Sequence, residues 1–108
     1  MSTLSELNTA VKTLDDLWLV CPDLKQKEQI LTERDKLDAQ AAALANLTLK
    51  VGTKALDDAI KALTKLNEIA IKAKKEIDIL GKSIEKTAKA ISKATVATVK
   101  VAAYIATL

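Results

Sequence analysis

A chain of 108 residues is long enough for one domain with a modest hydrophobic core. Two Gly, one Pro and no Phe leave little turn chemistry, which excludes an all-β protein and favours a few long helices built on Leu, Ile, Val and Ala. The net charge of +3 is unevenly divided, because residues 1–53 carry −2 and residues 54–108 carry +5. The basic half is therefore predicted to attract either the acidic half or an anionic partner.

The first predicted helix covers residues 4–20. Its apolar residues recur at spacings of three and four, as on one face of an amphipathic helix. They are Leu4, Leu7, Val11, Leu14, Trp18 and Cys21. We expect Trp18 to anchor the core and Cys21 to be a small, buried and inert thiol.

The second predicted helix covers residues 23–50. Pro22 separates it from the first helix, because proline inside a helix removes an amide donor and costs about 3 kcal/mol. Asp23 and Gln26 form a candidate capping pair at the new N-terminus. Beyond this helix, Gly52 fits a left-handed C-terminal cap and Thr53 a new N-cap.

Residues 54–108 contain the strongest pattern, two uncharged columns at heptad spacing. The first column is Leu56, Leu63, Ala70, Ile77, Ile84, Ile91, Thr98 and Ile105, and the second is Ala59, Leu66, Ala73, Leu80, Thr87, Ala94, Val101 and Leu108. An apolar 3–4 spacing of this length indicates helices that pack side by side.

This last segment has two interpretations. It is either one helix of about 80 Å over residues 54–108, at 1.5 Å per residue, or two helices separated at Gly81, where a helical glycine costs only about 1 kcal/mol. The heptad phase crosses Gly81 unshifted, which favours the unbroken helix. The sequence therefore predicts a single all-α domain over 1–108, an antiparallel helical bundle or coiled-coil-like hairpin of three long helices, or of four if the chain breaks at Gly81.

The residues that most enzymes require are scarce. The chain has no His and a single Cys, so the commonest general base and metal ligand is missing and no internal disulfide is available. The adjacent carboxylates Asp15–Asp16 and Asp57–Asp58 point about 100° apart on a helix and do not face one another. We predict no catalytic residue, no metal, no cofactor and no small-molecule substrate.

Lysines occupy the face opposite the apolar columns, with Glu68 as the interrupting acid. They are Lys61, Lys65, Lys72, Lys75, Lys82, Lys86, Lys89, Lys93 and Lys100. This face is either the solvated back of a packed helix or a contact for an anionic surface, with Lys82, Lys86, Lys89 and Lys93 as the candidate contacts. Nucleic acid is the weaker anionic partner, because no Arg and no interleaved aromatics accompany the lysines.

The last turns are apolar on nearly every side, and Lys100 is the only charged residue in 94–108. A helix that is apolar all round must be covered, yet this stretch is shorter than the roughly 20 residues that span a bilayer. The candidate contacts with a partner or membrane are Val96, Val99, Lys100, Ala103, Tyr104, Ile105 and Leu108.

These patterns support three functions in decreasing order. The first is a non-enzymatic interaction or assembly protein that contacts a protein partner or other copies of itself. The second is a membrane-active amphipathic protein that binds lipid or forms part of a pore through its C-terminal helix, and the third is nucleic-acid binding through the lysine face. The N-terminus lacks a basic segment followed by an apolar run, which predicts a cytoplasmic location by default and leaves signal-less export open.

Overall fold

The computed structural model describes residues 3–47, 52–80 and 84–108, with side chains described throughout these ranges except at 78–80 and 84. The described residues form four α-helices and no strand, which confirms the all-α prediction. The helices are α1 (Thr3–Val20), α2 (Leu24–Ala45), α3 (Lys54–Leu80) and α4 (Ile84–Ile105).

Two of the predicted helix starts are capped as expected. The Asp23 carboxylate accepts a hydrogen bond from the Gln26 amide at 2.8 Å, and the Thr53 hydroxyl accepts one from the Leu56 amide at 3.1 Å. Each bond satisfies one of the amides that a helix N-terminus leaves without a partner.

The end of α2 differs from the prediction. The helix ends at Ala45 instead of residue 50, and Asn46 and Leu47 form a turn. Gly52 has the expected left-handed backbone, with φ of +78°, but it lies in the linker immediately before Thr53. It therefore shapes the entry to α3 and does not cap α2.

The prediction of one unbroken helix over 54–108 is wrong, and the four-helix alternative is confirmed. The helices α3 and α4 pack against each other, and the molecule measures 43 × 19 × 17 Å, far less than an 80 Å helix requires. Folding back lets the two apolar faces cover one another, whereas a continuous helix would extend past the shorter α1 and α2. Gly81 itself lies outside the described residues.

The bundle consists of two helical hairpins packed side by side. Around its perimeter the order is α1, α2, α4, α3, so that the described parts of α1 and α4 are diagonal, as are those of α2 and α3. The eight residues 46–53 reach at most about 28 Å, less than the lengths of α2 and α3, about 33 and 40 Å. Therefore α3 starts at the end of the bundle where α2 finishes, and the helices run up-down-up-down.

The core combines large side chains from three helices with small ones from α4. Its buried apolar residues are Leu7, Ala10, Leu14, Leu17 and Cys21, then Ile30, Leu37, Ala41 and Leu44, then Ala59, Leu63, Leu66, Ala70, Ala73 and Ile77, and finally Ala90, Ala94, Ala97, Val101 and Tyr104. Each fully buried Leu or Ile stabilises the fold by roughly 1.5–3 kcal/mol.

The predicted heptad columns hold in α3 but not fully in α4. All of the α3 positions from Ala59 to Ile77 in both columns are buried, while Leu56 is half-buried. In α4 the second column stays buried, but the first column moves back by one residue, because Ala90, Ala97 and Tyr104 are completely buried while Ile91 and Ile105 are half-buried. The heptad phase therefore does not continue unshifted from α3 into α4.

Candidate interaction surface

The hairpin of α3 and α4 brings lysines from both helices to one groove of about 240 Å³. Lys61 and Lys65 of α3 line it together with Lys93 and Lys100 of α4, and Ala62 and Val96 supply apolar lining. We call this feature the lysine groove. The sequence placed these lysines along one face of one helix, whereas the hairpin sets them on opposite walls of a cleft.

The lysine groove has a large excess of positive charge. Among its described lining residues Asp58 is the one acid, and its carboxylate accepts a hydrogen bond from Lys54 at 3.0 Å. That bond lowers the pKa of Asp58 below its ordinary value, and the nearby charges of Lys100 and Lys61 lower it further. No ion pair within the described residues involves Lys61, Lys93 or Lys100, so these charges are available to an anionic partner.

The predicted contact lysines are placed differently from one another. Lys93 lines the groove and Lys89 is exposed on α4. Lys86 is half-buried and pairs with Glu76 of α3 at 3.7 Å, so part of its charge is neutralised within the hairpin. Lys82 lies outside the described residues.

The predicted C-terminal contacts are divided between surface and core. Val96, Val99, Lys100, Ala103 and Leu108 are exposed, with Val99 the most open of the large side chains at 61%, and Ile105 is half-buried. Tyr104 is completely buried in the core, which corrects its assignment as a contact. The apolar C-terminal turns are thus covered in part by the bundle itself.

A second groove, between α1 and α2, was not expected. Trp18 is 36% exposed and does not anchor the core, because Leu17 occupies that position, and this corrects the sequence prediction. Trp18 and Leu31 line an apolar groove of about 220 Å³ together with Leu14 and Ile30. We call it the Trp18 groove. The sequence signal for it was Trp18 next to Leu17, two large apolar residues that cannot both face the core.

Charged side chains border the Trp18 groove. The Lys27 ammonium lies 4.3 Å from the centre of the indole ring, a cation–π contact. The Arg34 guanidinium donates to Asp15 at 2.9 Å and approaches Asp35 and Asp38 at 3.3 and 3.7 Å. The hydrogen bond to Asp15 raises the pKa of Arg34 above its ordinary value.

Cys21 is buried as predicted, and its thiol donates a long hydrogen bond to the Asp23 carbonyl at 3.6 Å. Within the described ranges, no three His, Cys, Asp or Glu side chains are placed to hold a metal ion. Nor does any described helix combine the length and apolarity that crossing a membrane requires.

The sequence matches no protein-family model, and comparisons with curated proteins and with solved structures give no significant match.

Proposed function

We propose that this protein is a non-enzymatic interaction protein that binds an acidic protein segment in the lysine groove. The observation that supports it is the arrangement of Lys61, Lys65, Lys93 and Lys100 around an apolar strip with Asp58 as the one lining acid. A segment with carboxylates on both flanks and an apolar side chain between them would pair with the lysines and cover Val96.

The shape of the groove favours a protein segment over a bilayer. A cleft between two antiparallel helices accepts a rod such as a helix, whose apolar face lies on the floor while its polar flanks contact the walls. A bilayer presents a flat surface and contacts protruding side chains. The groove offers an acidic helix charge and apolar contact together.

Membrane binding is the second candidate function, and Val99 is the observation that favours it. This side chain is 61% exposed beside Lys100, an arrangement of apolar and basic residues typical of helices that lie in an anionic membrane interface. Nucleic acid has less support, because no aromatic and no Arg side chain lines the lysine groove.

The test uses a synthetic amphipathic helical peptide with Leu on one face and Glu on both flanks. We expect it to bind the native protein and to bind the double variant K93E/K100E at least about tenfold more weakly, a difference of 1.4 kcal/mol or more. The matched control is K74E/K75E, which makes the same change in charge at another groove, between α1 and α3. Equal loss in both variants, or in neither, would reject the lysine groove as the binding site.

Vesicles separate the two candidates. Co-sedimentation with phosphatidylserine vesicles but not with phosphatidylcholine vesicles, abolished by Val99→Glu, would favour the membrane function. We expect the native protein to stay in the supernatant with both kinds of vesicle.

A further inference from the structure

The two grooves lie on opposite sides of the bundle. Because the helices are ordered α1, α2, α4, α3 around the perimeter, the α1–α2 side faces away from the α3–α4 side. The Trp18 groove and the lysine groove are similar in size, about 220 and 240 Å³. Each molecule therefore presents two clefts, both formed by an antiparallel helical hairpin and both partly apolar.

The two sides carry opposite charge. Glu28, Leu31, Asp35 and Asp38 follow one another on α2 at helical spacings of three and four, so they share one exposed face. Asp15 adds a fourth carboxylate at the Trp18 groove, against the cations Lys27 and Arg34. The α1–α2 side thus combines an acidic excess with exposed apolar side chains, which are the two features that the lysine groove requires of a partner.

We propose that the protein associates with itself, head to tail, with the acidic α1–α2 face of one copy docked in the lysine groove of the next. This inference rests on the proposed function and identifies the acidic segment as α2 of a second copy. In the contact, Asp35 and Asp38 approach Lys93 and Lys100, while Leu31 and Trp18 cover Val96 and Val99.

The placement of the two faces decides the type of assembly. A two-fold dimer requires one surface that is complementary to itself, whereas here each face is complementary to the opposite one. Binding through opposite faces leaves one acidic and one basic face free at the ends of every assembly. Growth therefore continues with concentration, as an open row or a closed ring, and does not stop at a dimer.

The reporters are sedimentation velocity and the emission of Trp18, the only tryptophan in the chain. We expect the native protein to shift to larger species with rising concentration, with a blue shift as Trp18 becomes covered. One molar salt should reverse both changes, because the Debye length falls from about 8 Å at physiological ionic strength to about 3 Å.

Charge reversal on each face gives the decisive experiment. The variant D35K/D38K has two basic faces and the variant K93E/K100E has two acidic faces, so each alone should sediment as a monomer. Mixing them restores both complementary contacts, and larger species with the Trp18 blue shift should return. The control K74E/K75E should associate like the native protein.

Circular dichroism establishes that the variants fold, and Glu28→Lys replaces D35K/D38K if that variant is unfolded. The inference fails if the native protein is a monomer at all concentrations, or if folded single-face variants associate as well as the native protein, or if mixing restores nothing. Retained binding of the Glu-flanked peptide in these cases would leave the proposed function intact, whereas its loss would reject both.

Discussion

The side-chain amide of Gln40 on α2 donates a hydrogen bond of 2.9 Å to the backbone carbonyl of Thr98 on α4. Its own carbonyl oxygen is buried and has no hydrogen-bond partner among the described residues. Two turns earlier, Glu33 is buried against α4, with its carboxylate 3.3 and 3.4 Å from the hydroxyls of Thr95 and Thr98. The α2–α4 contact is therefore polar at positions spaced by one heptad.

Gln40→Glu should destabilise the protein by about 1–3 kcal/mol. The carboxylate cannot donate to the Thr98 carbonyl, so the substitution places two acceptors against each other in a partly buried site. Gln40→Met removes the unpaired oxygen together with one hydrogen bond and should change stability by less than about 1 kcal/mol. Urea unfolding followed by circular dichroism measures both. The control is Gln29→Glu, at an exposed position of the same helix, which should be nearly neutral.

Ala97→Asp and Val99→Asp test the orientation of α4. Ala97 is completely buried and Val99 is mostly exposed, so an aspartate should cost about 3–5 kcal/mol at position 97 and less than about 0.5 kcal/mol at position 99. Thermal melts of the two variants give the comparison. Similar melting temperatures would mean that the helix is rotated differently from the structure.

Gly52→Ala should cost about 1–2 kcal/mol, the penalty for a left-handed conformation with a β-carbon. A β-carbon at this position would meet no atom within 4 Å, so the whole effect is conformational and no clash contributes. Gly52→Asn should lose less, because asparagine tolerates this backbone region better. A larger loss for Asn than for Ala in urea unfolding would contradict this account.

Peptide binding in the lysine groove should be insensitive to pH between about 5 and 8. The chain has no His, and the lowered pKa of Asp58 keeps this carboxylate ionised throughout that range. Since its folded-state pKa is lowered, Asp58 stabilises the fold above pH about 4, and this contribution is lost as the pH falls through the folded value. Asp58→Asn removes the one lining acid and should tighten binding of the Glu-flanked peptide, as measured by calorimetry at pH 5.5, 7 and 8.

Local signals in the sequence were enough to predict the helix starts. Pro22, Asp23 and Thr53 act through bonds to their immediate neighbours, so their effects depend little on the rest of the fold. The heptad columns of α3 were also predictable, because charged residues separate Leu63, Leu66 and Ala70 from the solvent face.

The rotation of α4 was not predictable in the same way. Its sequence places Ala, Thr, Val or Ile at nearly every inward position, so several registers bury similar apolar area. The observed register places Ala90, Ala94 and Ala97 inside, where their small side chains allow close approach to α3. That preference depends on the facing helix and not on the periodicity of α4 alone.

The candidate sites required the tertiary structure. The sequence gives the positions of Lys61 and Lys100 but not their approach across one cleft, which depends on the α3–α4 hairpin. The exposure of Trp18 likewise follows from a competition with Leu17 that the packing of α2 decides.

The polar α2–α4 contact has a consequence for how the bundle opens. Within each hairpin the helices are joined by short connections, whereas the two hairpins meet along α1–α3 and along this less apolar seam. Partial opening should therefore separate the hairpins along α2–α4 before either hairpin unfolds. Hydrogen–deuterium exchange would then show a graded pattern, with the amides of α2 exchanging through a lower-energy opening than those of α3.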